Sequence, residues 1–211
     1  MGVTLSMARK QALLAWAEQN RALIIEDDYD SEFLYDHRRQ PALASLSNNI
    51  LYIGTFSKVL TPALRLAYLV VPPDLSSIFN ATCHAWHDGS PLLQQAIVTD
   101  FMQEGHFSRH LRKMRALYAK RRQMVIESLD QVFGSRFKFD IPIGGLHLLA
   151  KLAQHARQYG FGIAALSSRS LNADCGKGLL FGFANEPTPE AALNHAKNLQ
   201  TCLLQVTDAS Q

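Results

Sequence analysis

Asp27, Tyr29, Lys58 and Arg65 are side chains of the types that bind and transform small molecules, and they fall within a short stretch of the chain. Asp27 and Tyr29 stand two residues apart just past the apolar run ALIIE at 22–26, so an extended backbone points both to one face and lets them share a ligand. Lys58 and Arg65 flank a turn in GTFSKVLTPALR, where Gly54 and Pro62 mark irregular backbone. An amine attacks carbonyl compounds, a carboxylate and a phenol hold or exchange protons, and a guanidinium pairs with an anion. A lone loop lysine is a solvated charge; the same lysine in register with an acid, a phenol and an arginine is a candidate site.

Three nearly continuous apolar runs position these groups: ALIIE at 22–26, ILYIG at 50–54 and LAYLVV at 66–71. Continuous rather than alternating runs are expected of strands buried on both faces of a parallel sheet. Ligands of open α/β sheets collect outside the carboxyl ends of the strands, where all four residues are placed. Ahead of the strands, Ser6 is the expected N-cap of a helix through Leu13, Leu14, Trp16 and Ala17 that stops at Asn20. Three strands with two raw edges make a poor sheet, so further strands are expected outside this segment.

From Asp74 to about Phe133 the pattern is helical, in PLLQQAIVTDFMQEG and in a longer helix from His106 to Phe133. In the latter Leu111, Met114, Tyr118, Val125, Leu129 and Val132 form one stripe, interrupted at Arg121. After Gly134 come the short strand-like runs RFKFD, GGLHLLAKL, FGIAAL and GLLFGFA, then a helix from about Pro189 to Val206. The expected organisation is therefore a parallel-sheet part with its connecting helix at 1–133 and a small α+β lobe at 134–211.

The bulk composition excludes several classes. With 47% hydrophobic and 18% charged residues the chain can build a core, and a net charge of +3 is too small to mark nucleic acid as the main ligand of this segment. Cys83, Cys175 and Cys202 are odd in number and widely spaced, which fits neither a disulfide framework nor a zinc ribbon and makes a reducing cytoplasm the simplest location. No run approaches the ~20 apolar residues that span a bilayer, so no membrane partner is expected.

The runs IIEDDYDSEFLYD and YIGTFSKVLTPALRLAYLVVPP resemble the aminotransferase-like domain of the MocR group of GntR-type regulators, a branch of the fold-type I proteins that use pyridoxal 5'-phosphate (PLP). ALLAWAEQN, EGHFSRHLRKMRALYAKRR, GGLHLLA and GLLFGFA carry the resemblance along essentially the whole chain. It implies a partial aspartate aminotransferase-like α/β fold, with the small lobe following the sheet. It also assigns roles. Lys58, the catalytic residue, would hold PLP as a Schiff base, and Asp27 would keep the pyridine nitrogen protonated. Tyr29 would donate to the ring's 3'-oxygen, while Thr55, Ser57 and Arg65 would bind the phosphate.

In relatives an arginine of the small lobe binds the substrate carboxylate. Arg169, in ALSSRSLN, is the candidate, although it stands one position later than the usual pattern, which puts Ser168 in the expected slot. The lobe also looks shortened between Leu152 and Gly160. The chain opens at MGVTLS, without the winged helix-turn-helix or the first half of the domain, and the expectation is a fragment or a truncated product. The resemblance further implies a homodimer, an amine or amino acid as ligand, and DNA contacts only through a region absent here.

The resemblance leaves three functions open: an effector domain whose geometry responds to PLP and its amine ligand, a working aminotransferase, or a truncated fragment that dimerises and binds no cofactor. Other clusters have plainer readings. The acidic run Glu26, Asp27, Asp28, Asp30, Glu32 lacks the glycine and closing glutamate of a calcium loop, and an acidic surface loop accounts for Asp28 and Asp30. His84 with His87, and His106 with His110, have helical spacing but no third ligand, so no metal is expected. The basic residues between Arg109 and Arg122 spread around their helix, as on a solvated surface.

Overall fold

The structure is a computed structural model that describes residues 5–35, 40–86, 91–140, 144–152 and 178–208. The chain divides into two compact units, 4–113 and 114–211, with the division inside the long helix.

The first unit opens with α1, Met7–Asn20. Ser6 is extended and its Oγ accepts the Arg9 N–H at 3.4 Å, the capping bond anticipated from its type. At the other end Arg21 adopts the left-handed conformation. Its N–H reaches the Glu18 carbonyl at 3.2 Å and that of Ala22 reaches the Ala17 carbonyl at 2.8 Å, a Schellman closure made without the usual glycine.

Three strands follow: β1 Ile24–Asp28, β2 Ile50–Thr55 and β3 Ala67–Val70, in spatial order β1-β2-β3. β1 and β2 are parallel, with Ile24 opposite Ile50 and Asp28 opposite Gly54. β2 and β3 are antiparallel, with Thr55 opposite Ala67 and Tyr52 opposite Val70. The expectation of a wholly parallel, doubly buried sheet is corrected here. β2 begins with the buried pair Ile50 and Leu51, but every residue of β3 is exposed and Ile25 of β1 is 60% exposed. Residues 56–66 supply only a turn and a short 3-10 segment, Pro62–Leu64, and a parallel return needs a crossover that this connection lacks. An apolar run marks a strand that seeks cover, not the direction in which it runs.

The rest of the unit is helical: α2 Ser76–Trp86, α3 Leu92–Gln103 and the start of α4, His106–Phe133. α2 and α3 expose large apolar side chains, Trp86, Leu92 and Leu93 most of all.

The second unit holds the remainder of α4, the antiparallel sheet β4 Phe137–Asp140, β5 His147–Leu152 and β6 Gly178–Gly182 in that order, and α5 Pro189–Asp208. Thr188 Oγ1 accepts the Ala191 N–H at 3.2 Å with Pro189 at the first helical position, a start that suits proline because its missing N–H would be unpaired anyway. Leu129, Phe133, Leu148, Phe183, Ala192 and Ala196 are buried and form the core; of the stripe read from α4, Val125 and Leu129 are buried in this unit, whereas Met114, Tyr118 and Val132 are half-buried. Arg121 interrupts that stripe because its guanidinium donates to the Ala184 carbonyl and lies 6.0 Å from the Tyr118 ring centroid. The run FGIAAL lies outside the described residues, as does Arg169. Among the described residues no helix is long and apolar enough to cross a membrane.

Candidate functional site

The sheet of the first unit gathers the chemical groups at one end. Because β1 and β2 are parallel, their carboxyl ends share an edge, and because β3 is antiparallel its amino end lies at that same edge. Asp27 and Tyr29 leave β1 there, Thr55, Ser57 and Lys58 leave β2 there, and Arg65 stands just before β3. The topology puts these positions at one sheet edge, and the antiparallel β3 is what brings Arg65 there.

Each segment is held by local bonds. Ser57 N–H donates to Thr55 Oγ1 at 3.2 Å, which leaves the Thr55 hydroxyl hydrogen free to point elsewhere. Leu60 N–H donates to the Phe56 carbonyl at 2.9 Å, closing one helical turn around Lys58. Val59, only 2% exposed, anchors that turn from below, and its carbonyl accepts from His110 Nε2 at 2.8 Å. Lys58 itself is exposed. Phe56 N–H donates to the Leu66 carbonyl at 3.1 Å, tying the start of the lysine turn to the residue after Arg65.

Arg65 closes the Pro62–Leu64 segment at φ 48° and ψ 36°, a left-handed conformation that costs a non-glycine residue about 1–2 kcal/mol. Among the described non-glycine residues only Arg21 shares it. A strained arginine at a sheet end, exposed and next to the lysine turn, suits a role in binding an anion.

The acidic motif sorts itself by strand alternation. Glu26 accepts the Leu43 and Ala44 N–H groups at 2.9 and 3.0 Å, capping the 3-10 turn Leu43–Ser45. Asp28 accepts the Ser31 N–H at 3.1 Å, the Ser31 hydroxyl at 2.6 Å and the Tyr52 phenol at 2.7 Å. Asp28 is therefore a hydrogen-bonding hub, and its reading as a plain surface acid is corrected. Asp27, between them, faces the opposite side of the sheet, is exposed, and accepts no hydrogen bond from any described residue. Tyr29 begins the bend after β1. Burial first, then the charges of Asp30 and Asp27, push its phenol above the usual range, so it stays protonated and able to donate.

The face that carries Glu26 and Asp28 holds a layer missed in the sequence. Tyr68 lies over Gly54, where any Cβ would collide with its ring. Its centroid is 6.1 Å from that of Tyr52 and 5.6 Å from that of Phe56. Burial, helped by the bond to Asp28, raises the Tyr52 phenol well above its ordinary value. The alternation of Tyr52 and Gly54 in ILYIGT was the available signal, but it becomes readable only once the register with β1 and β3 is known.

Known proteins agree with this architecture. The family profile described as aminotransferase class I and II matches residues 1–168. The probable rhizopine catabolism regulatory protein MocR of Rhizobium meliloti is 33% identical over 195 residues, which are 87% of this chain and 40% of that protein. The pyridoxine biosynthesis transcriptional regulator PdxR of Corynebacterium glutamicum is 31% identical over 193 residues, 87% of this chain and 42% of the regulator. Among solved structures, the multiple substrate aminotransferase of Thermococcus profundus superposes with a TM-score of 0.81 at 23% identity, covering 100% of this chain and 54% of that one. LysN, the alpha-aminoadipate aminotransferase of Thermus thermophilus solved with N-(5'-phosphopyridoxyl)-L-leucine, gives 0.75 at 25% identity, covering 98% of this chain and 56% of that one. The chain thus spans well under half of these two regulators and about half of the solved enzymes. Its α/β sheet with a small α+β lobe is a partial aminotransferase-like fold, and the chain belongs to the aminotransferase class I and II family, matching there the aminotransferase-like domain of MocR-type regulators.

Proposed function

We propose that this segment is the PLP-binding effector domain of a MocR-type transcriptional regulator, with the cofactor held as a Schiff base on Lys58. The observation that carries the proposal is the arrival of Asp27, Tyr29, Thr55, Ser57, Lys58 and Arg65 at one sheet end in a chain of this family. The donor set fits the cofactor. It offers an exposed amine, a carboxylate without a hydrogen-bond donor among the described residues, a protonated phenol, and an arginine beside two hydroxyls.

In the proposed scheme Lys58 is the amine that would hold the cofactor through its aldehyde. Bound there, PLP supplies an electron-accepting ring. Asp27 offers the carboxylate that keeps the pyridine nitrogen protonated, and Tyr29 a phenol that donates to the 3'-oxygen. Arg65, Thr55 and Ser57 neutralise and hydrogen-bond the phosphate. Arg169 of the small lobe would bind the carboxylate of an amino-acid ligand. The scheme includes a homodimer in the cytoplasm, the division at 1–133 and 134–211, and DNA contacts made by a region outside this chain.

A working aminotransferase is the second reading. It uses the same lysine, whose amine once freed can move the substrate proton.

Titration of the chain with PLP tests the proposal. A saturable visible absorption band is expected, absent in Lys58→Ala. The same band in Lys58→Ala overturns it. Accumulation of the amino form of the cofactor with an amino acid distinguishes the enzyme from the effector domain.

A further inference from the structure

Asp28 and Tyr52 have no part in the scheme above, yet they stand on the two strands that carry Asp27 and Thr55 and lead into Tyr29, Ser57 and Lys58. Asp28 lies between Asp27 and Tyr29 in the chain, and its carboxylate closes the bend by accepting both donors of Ser31. A third donor, the Tyr52 phenol, reaches it from β2 at 2.7 Å. Tyr52 is opposite Glu26 in the parallel register and two residues before Gly54, the partner of Asp28, so the bond runs diagonally between the strands. From Tyr52 the layer continues to Tyr68 on β3 and on to Phe56, two residues before Lys58. Phe56 in turn bonds through its N–H to Leu66, the neighbour of Arg65.

We infer that Asp28 and Tyr52 are positioning residues for the cofactor site: their bond locks the β1 bend that presents Asp27 and Tyr29 to the strand that leads into the Lys58 turn. The inference rests on the PLP reading proposed above. Strand alternation puts the lock on the sheet face opposite Asp27, so it fixes the backbone without occupying the ligand's space. A carboxylate with three donors in one place is a rigid support, and supports of this kind fix the orientation of the groups that touch a ligand. The phenol remains a donor because burial and the neighbouring charge keep it protonated.

The test uses the full chain and three conservative variants, Tyr52→Phe, Asp28→Asn and Ser31→Ala, with PLP as the probe. Affinity, the visible absorption of the bound cofactor, and the unfolding midpoint without cofactor are measured for each. Tyr52→Phe is expected to weaken PLP binding about tenfold, the size of one lost hydrogen bond to a charged group, and to change the absorption of the bound cofactor. The Tyr52→Phe and Asp28→Asn effects on affinity are expected to be strongly non-additive in the double variant, as for residues acting through one bond. Ser31 is exposed, so Ser31→Ala is the variant that tests the bend should either of the others fail to fold. Wild-type affinity and spectrum in folded Tyr52→Phe or Ser31→Ala overturn the inference. So does a fall in the unfolding midpoint with no spectral change, which is a structural role alone. If the wild type itself shows no PLP band, the parent reading fails and this inference with it; a wild-type band with unaltered variants removes the inference only.

Discussion

Tyr52 donates its phenol to the carboxylate of Asp28 at 2.7 Å, joining two parallel strands whose carboxyl ends carry the candidate cofactor residues. Burial, then the Asp28 bond, raise the folded pKa of this phenol above the ordinary value of 10.0. The native state therefore binds the proton more tightly than the unfolded chain does. The resulting stabilisation is complete below 10.0 and is lost as pH rises through the raised folded value. Tyr52→Phe is expected to lose about 1 kcal/mol near neutral pH. The gap between the two proteins should close as the solution becomes more alkaline than about pH 10, the phenol's reference value. Denaturant unfolding across this range measures it, and a gap that widens above that pH contradicts the assignment.

Gly54→Ala tests the aromatic layer. A Cβ there collides with the Tyr68 ring, a side chain packed against Tyr52 and Phe56, so relief must disturb the layer. A loss of about 1–3 kcal/mol is expected, the usual cost of overpacking. Thermal unfolding reads it, and an unchanged midpoint means Tyr68 moves away freely.

Arg21 and Arg65 offer a matched pair, since both hold φ 48° and only Arg65 is at the sheet end. Glycine removes about 1–2 kcal/mol of left-handed strain and returns part of it as chain entropy. Arg21→Gly and Arg65→Gly are both expected to unfold at or slightly above the wild-type midpoint. PLP affinity should be untouched in Arg21→Gly and fall about tenfold or more in Arg65→Gly, through loss of a charge-assisted bond to phosphate. Equal affinities in the two variants contradict the phosphate role.

Much of the site was legible because its parts are local. DDYD and TFSK follow apolar runs that become β1 and β2, and the rule that ligands collect at strand carboxyl ends needs only those runs. Ser6 and the stop at Asn20 were legible for the same reason, since capping acts within one turn. Features that depend on register were not. Whether Asp28 is a surface acid or a hub is decided by Tyr52, a residue of another strand, and the aromatic layer needs Gly54 and Tyr68 to be paired. The direction of β3 is fixed by its short connection rather than by the composition of LAYLVV. Arg121, a charge in an apolar stripe, makes sense only with the Ala184 carbonyl above it.

Everything proposed for this chain depends on the Lys58 amine. Incubation of the full chain with PLP, reduction with borohydride and mapping of the modified peptide by mass spectrometry tests it most directly. A single phosphopyridoxyl adduct on Lys58 is the expected result. An adduct on another lysine, or none in a folded chain saturated with PLP, contradicts it.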